Sequence, residues 1–333
     1  MPELKISADW SYRGLRVVSL ENRMLRLFIL PEAGGKIWQI TYKPLDADLL
    51  WNNPRIPPAR LALKSSYDDS WSGGWDELFP NDEVATIDGE AYPDHGELWT
   101  GQWDAEPFST ADEVGVKLRF VTPISSIHVE KTVVLRRGAS RLCFRHKFTN
   151  AGGSPFQFLW KLHPAFAVTP EHRIDFPPMK VLLEPAFPGT LGGAAQSFAW
   201  PTARVDGRNV DLRQIPSVDQ RQLYFFYGTE VKDGWCALTN TATGLACGLK
   251  FDPAVFGCNW LFASYGGWRN YNVAVLEPCT GYPLNFAAMQ AAGRQRTLAP
   301  GESLKTEILF SVQEGITSVE SIRSDGTIVS SQS

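Results

Sequence analysis

Apolar and polar positions alternate with a period of two along most of this chain. Runs rich in Val, Ile, Leu and Phe recur at 15–18, 24–30, 36–42, 116–121, 128–135 and 141–148. Others follow at 223–227, 235–239, 246–251, 259–263, 272–277 and 304–312. That period puts successive side chains on opposite faces of a pleated strand, so each run predicts a strand. Turn-forming stretches separate them, such as Pro31-Glu32-Ala33-Gly34-Gly35 and Asn150-Ala151-Gly152-Gly153. Many short strands with little 3.6-residue periodicity predict an all-β fold, a large antiparallel β-sandwich. Glycine and proline are spread throughout and no linker-like block separates two halves. Residues 1–333 therefore read as a single domain with its core at about 14–313. A short helix is expected near 317–323, and a frayed polar tail after Ser324.

Three places interrupt this pattern with chemistry. In Val273-Ala274-Val275-Leu276-Glu277-Pro278 a run readable as a buried strand ends in a carboxylate followed by proline. A buried carboxylate is costly unless water, a partner or a ligand receives it. Proline keeps the residue before it extended, so Glu277 shares a face with Val273 and Val275. Desolvation there raises a carboxyl pKa towards that of a general base near neutrality. Taken alone, the same residues also fit a half-exposed Glu opening a turn. The second place, Phe156-Gln157-Phe158-Leu159-Trp160-Lys161-Leu162-His163-Pro164, repeats the device with a histidine. The third is Asp94-His95-Gly96-Glu97-Leu98-Trp99, preceded by Gly73-Gly74-Trp75-Asp76-Glu77-Leu78-Phe79-Pro80. A single histidine beside apolar residues is as well read as a structural one. Together, His95, His163 and Glu277 form an acid/base set.

Charge and composition narrow the function classes. A net charge of −4 with mixed signs gives no electrostatic footprint for nucleic acid or an anionic membrane surface. No apolar stretch reaches the length of a membrane span, and Met1-Pro2-Glu3-Leu4-Lys5 lacks a signal-peptide pattern, so a cytoplasmic location is expected. The five cysteines contain no Cys-x-x-Cys and read as reduced, mostly buried thiols; Cys279, close to Glu277, reads as packing. The 12 tryptophans matter because several fall beside the candidate residues. Trp71, Trp75, Trp99 and Trp103 bracket His95, and Trp260 and Trp268 precede Glu277. Indole faces suit the C–H faces of sugar rings, although any one of them can equally be a core residue with a polar handle. Their grouping around Asp76, Glu77, His95 and Asn270 predicts a carbohydrate cleft.

These residues carry a family resemblance. From Leu30-Pro31-Glu32-Ala33-Gly34-Gly35-Lys36-Ile37 to about Val312, the chain resembles the galactose mutarotase-like (aldose 1-epimerase) superfamily. The specific parts are the Gly-Gly…Phe-Pro…His-Gly module at Gly73 to Gly96, Leu162-His163-Pro164-Ala165-Phe166, and Glu277-Pro278…Pro283-Leu284-Asn285. The resemblance implies a large antiparallel β-sandwich and an isomerase that needs no cofactor or metal. It implies Glu277 as base, His163 as acid, and His95 assisting at the ring or anomeric oxygen. The partner implied is a small-molecule sugar, with the protein a monomer or homodimer. Two departures bear on the substrate. Ser72 and Trp99 stand near places where members acting on hexose 6-phosphates carry arginines, and Asp76 with Glu77 would bond neutral hydroxyls and repel phosphate. Trp75, Trp99, Trp268, Arg269 and Asn270 complete the expected sugar contacts. The aspartate that holds sugar hydroxyls in galactose-type members has no secure match; Asp219 and Asp252 are the guesses. Two other classes fit the same residues: a non-catalytic carbohydrate-binding protein, and a glycoside hydrolase or lyase pairing Glu277 with Asp76 or Glu77.

Overall fold

The chain is seen in a computed structural model that describes residues 3–193 and 195–331. It divides into two compact units, Met1–Pro164 with Thr280–Ile308, and Ala165–Cys279 with Leu309–Ser333. Among the described residues no helix is long and apolar enough to cross a membrane.

In the first unit, one sheet sets Lys5–Tyr12, Leu15–Glu21, Leu25–Leu30, Lys36–Tyr42, Trp75–Leu78 and the Lys161 end of Lys161–Ala167 side by side in chain order. The second sheet is a meander of Asp104–Ser109, Glu113–Val121, Ile127–Arg136 and Arg141–Asn150, closed by the start of Ser303–Gln313. Trp75 from the first sheet meets Phe144 from the second at 4.7 Å between ring centroids. Between them lies a buried ion cluster: Glu77 Oε1 accepts from Lys131 Nζ at 3.0 Å and lies 2.9 Å from His146 Nε2. Lys131 also donates to the Gly35 carbonyl, and the Trp160 indole to Glu77 Oε2 at 3.3 Å. Burial pushes the Glu77 carboxyl upward, but the charges of His146 and Lys131 outweigh it and hold the pKa at about 2.

The second unit also carries two sheets. One orders Asn272–Cys279, Cys258–Tyr265, Gln222–Thr229, Lys180–Leu183 and Ser197–Ala199; the other orders His172–Asp175, Trp235–Asn240, Leu245–Lys250 and the end of Ser303–Gln313. Two sequence expectations fail here. Val319–Ile322 is a strand, not a helix, and it pairs with Ile328–Ser330 in what was expected to be a frayed tail. Val319 and Ile322 are three apart, a spacing that resembles a helical turn, and a register shift between Val319 and Ser321 accommodates it in a strand. Val319, Ile322 and Ile328 pack on Trp235, Ala237 and Ala246, which fixes the hairpin.

Candidate active site

The pleat of Trp75–Leu78 decides which side chains can work together. Trp75 and Glu77 point into the core of the first unit, so Asp76, between them, projects from the opposite face. Trp75 and Glu77 were expected to touch sugar; their inward direction makes one a core ring and the other half of an ion cluster. That orientation also removes Glu77 as the second carboxylate of a hydrolase.

On the outer face, His163 lies directly opposite Asp76 in the ladder. Both proline motifs sit within strands rather than at their ends, His163-Pro164 in Lys161–Ala167 and Glu277-Pro278 in Asn272–Cys279. Each proline removes one donor from its ladder without ending the strand. Asp76 Oδ2 accepts from Lys36 Nζ at 2.8 Å and from the Tyr67 hydroxyl at 3.0 Å. The same hydroxyl lies 3.1 Å from His163 Nδ1. Because the Tyr67 proton goes to the carboxylate, its oxygen accepts from Nδ1–H, and proton exchange with a substrate falls to Nε2. Burial, followed by the charges of Lys161, His95 and Lys36, draws the His163 pKa well below the usual imidazole range. The expected imidazolium is thus a neutral ring in the resting chain at neutral pH.

His95 arrives from a loop and lies flat on Tyr67, 3.9 Å between centroids and 5° between planes. Its Nδ1 is 2.8 Å from Asp94 Oδ1, and its Nε2 is 3.8 Å from Asp82 Oδ1, a carboxylate also bonded by Lys161. Burial raises the Asp94 carboxyl, but the bonds from His95 and from the Tyr67 backbone N–H, with the His95 and Lys161 charges, bring it below its ordinary value. Trp99 meets Tyr67 edge-on at 4.9 Å, and Trp71 meets His163 at 5.6 Å. A small recess bordered by Lys36, Tyr67, Trp71, Asp76 and Trp99 opens here, and Asp76 Oδ1 has no hydrogen-bond partner.

The loop depends on glycine. Gly96 has φ +71°, and a Cβ built on it would stand 2.0 Å from the Phe79 carbonyl oxygen. Gly96→Ala is therefore expected to cost more than about 1 kcal/mol in a denaturant titration, from backbone strain with a clash added. An unchanged midpoint would mean that the loop relaxes freely.

The other predicted residues belong to the second unit. Glu277 is buried and lies opposite Trp260, which in turn lies opposite Tyr227, so the three share one face. The Tyr227 hydroxyl donates to the Glu184 carboxylate. Trp268, Arg269 and Asn270 form the turn after Cys258–Tyr265, with the Arg269 guanidinium 4.8 Å from the Trp268 ring centroid and both Arg269 and Asn270 exposed. Asp219 is an exposed residue of a single 3-10 turn, and Asp252 starts a turn by accepting from the Ala254 N–H. Sequence reasoning missed Lys36, Tyr67, Glu184 and Tyr227. Lys36 carried a signal: a lysine opening an apolar strand after two glycines is a cation that must find a carboxylate.

No protein-family model matches the chain. Among solved structures, a galactose mutarotase-like protein from Clostridium acetobutylicum matches with a TM-score of 0.70 at 14% identity, over 94% of this chain and 99% of that one. A provisionally named aldose 1-epimerase from Klebsiella pneumoniae matches with a TM-score of 0.72 at 14% identity, over 93% and 83%. Another so named, from Escherichia coli K12, matches with a TM-score of 0.64 at 19% identity, over 90% and 100%. In architecture, the chain is a galactose mutarotase-like β-sandwich.

Proposed function

We propose that this chain is an aldose 1-epimerase-like isomerase that interconverts the anomers of a neutral aldose by acid/base ring opening. The observation that supports the reading best is the buried His163, tied through Tyr67 to Asp76 and Lys36 in a fold shared with mutarotase-like proteins. In this reaction Glu277 removes the anomeric hydroxyl proton. The C1–O5 bond breaks as the C1=O1 bond forms, and the imidazolium form of His163, which has first taken a solvent proton at Nε2, delivers that proton to O5. Rotation about C1–C2 and reclosure from the other face reverse both transfers. Tyr67 and Asp76 hold the Nδ1 proton in place, so the ring cycles at one nitrogen only. His95, flat on Tyr67, assists at the ring or anomeric oxygen.

The preference for a neutral sugar rests on paired charges. Lys36 is bonded to Asp76 and Lys161 to Asp82, so both of these lysines already have an anion. A phosphate dianion would meet these carboxylates at about 1 kcal/mol or more per close pair, without new bidentate contacts to offset the cost. The test is anomer exchange by NMR across free hexoses at catalytic protein concentration, repeated with the 6-phosphate of the best substrate. Accelerated exchange with tighter saturation by the neutral form is expected. Tighter saturation by the phosphate would overturn the neutral-sugar assignment, and no acceleration with any aldose would overturn the isomerase.

A further inference from the structure

We infer that the first unit carries a second carbohydrate subsite, an aromatic groove that holds a sugar residue of an oligosaccharide. The groove encloses about 540 Å³, within the ~300–1,000 Å³ range of ligand pockets. Its aromatic lining comes from three strands of the first sheet: Trp10 and Tyr12, Phe28, and Trp38. Trp10 meets Phe28 edge-on at 5.0 Å, and Tyr12 lies over Trp38 at 6.2 Å with 27° between planes.

Two irregularities aim these rings. The ladder of Lys5–Tyr12 shifts register between Ser7 and Trp10, and that of Leu25–Leu30 with Lys36–Tyr42 shifts between Phe28 and Ile29, leaving Trp38 as the extra residue. Bulges of this kind re-aim a side chain out of strict alternation and concentrate beside binding sites. As a result Trp10 is 47% exposed, while Tyr12, Phe28 and Trp38 pack beneath on Leu15, Val17, Leu30 and Ala33. The far wall is preformed: the Gln39 amide bonds the Leu50 carbonyl and Asn52 Oδ1, and Asn52 bonds the Trp38 carbonyl. An aromatic floor that is already ordered loses little entropy on binding.

The rim selects the ligand. Arg13 and Arg55 face it together with Asp48, so it carries both signs with one cation in excess, and all three groups can bond hydroxyls. An exposed indole and half-buried aromatic rings beside mixed polar groups match pyranose rings, which present C–H faces and an edge of hydroxyls. A wholly apolar partner would leave those charges desolvated and unpaired. The groove also connects structurally to the His163 face. Asn52 bridges to Gly73, the Asn53 side chain donates to the Trp71 carbonyl at 2.8 Å, and Trp51 lies 4.9 Å from Trp71. An oligosaccharide could therefore lie along Trp10 and Trp38 with its end towards Trp71. That orientation rests on the isomerase reading; the subsite itself does not.

The probes are glucose, maltotetraose and cellotetraose, titrated against the whole chain with tryptophan fluorescence and saturation-transfer NMR. At least one tetraose should bind ten-fold or more tightly than glucose. Trp10→Ala should remove that preference and Trp10→Phe restore part of it, with glucose anomer exchange unchanged in both. Neither tetraose binding more tightly than glucose, or a preference that survives Trp10→Ala, would overturn the subsite. So would a Trp10-dependent change in sedimentation without sugar binding, which would make the groove a contact between copies. Binding is read without turnover, so tetraose binding without anomer exchange sinks the isomerase reading alone, and exchange without a tetraose preference sinks the groove alone.

Discussion

Glu277→Gln is expected to abolish anomer exchange while sugar binding largely survives. The amide keeps the shape of the carboxylate and part of its hydrogen bonding but cannot take a proton. Loss of a general base usually costs about two to four orders of magnitude in rate. The measurement is exchange by NMR at saturating aldose, beside a binding titration of the same variant. Wild-type turnover would remove Glu277 from the chemistry. In the proposed reaction His163 is the group that sets the pH dependence. Its pKa lies well below 6.5, chiefly through burial, so the imidazolium fraction grows about tenfold per unit of acidification above that pKa. If His163 is the donor, kcat/KM rises as pH falls from 8 towards 6.5 and His163→Ala loses the slope; a flat wild-type profile would exclude the imidazolium as the acid.

Lys131→Met is expected to destabilise the fold by about 3–5 kcal/mol, because it leaves the Glu77 carboxylate buried with one cationic partner fewer. Glu77→Gln combined with Lys131→Met should recover part of that loss, since no buried charge is then stranded. Urea midpoints of the two single variants and the double variant decide it. A Lys131→Met shift below about 1 kcal/mol would mean that water reaches the cluster. Acid provides a second readout. The Glu77 carboxyl titrates near 4.5 when unperturbed and at about 2 in the folded chain. Its stabilising contribution is therefore complete above about pH 4.5 and is lost as pH falls towards 2. Glu77→Gln should flatten that part of the stability curve.

Much of this architecture was legible from residue order. Period-two runs located Leu15–Glu21, Leu25–Leu30, Lys36–Tyr42, Glu113–Val121, Ile127–Arg136 and Arg141–Asn150 but not Lys5–Tyr12, Trp75–Leu78 or Asp104–Ser109, and His95 and His163 drew notice because each stands beside apolar residues and a Gly or Pro. The sidedness of the site was legible too, though harder to see. Asp76 and Glu77 are adjacent in a strand and must face opposite ways, so they never could act as a pair. Lys131 is in phase with Val129 and Val133, and His146 with Phe144 and Phe148, which marks both as inward and in need of a carboxylate. What was not legible came from segments without periodicity. Tyr67 stands in a four-residue helix whose local sequence carries no apolar stripe, and only tertiary structure brings its hydroxyl to His163. Trp10 and Trp38 reach the groove through bulges, which break the alternation that sequence reading depends on.

The short strand Trp75–Leu78 ties two sets of contacts to one stretch of backbone. Trp75 and Glu77 fill the core while Asp76 bonds Tyr67, so the two sets of contacts cannot shift independently. Inserting one residue between Gly74 and Trp75 would turn the whole pattern over, carrying Asp76 towards Phe144 and Glu77 out to Lys36. The charges on the two sides would still balance, yet the geometry would fail on both. For anyone redesigning this scaffold, substitutions that preserve length are the only ones compatible with this strand, and new specificity is better sought in the loops that deliver Tyr67 and His95.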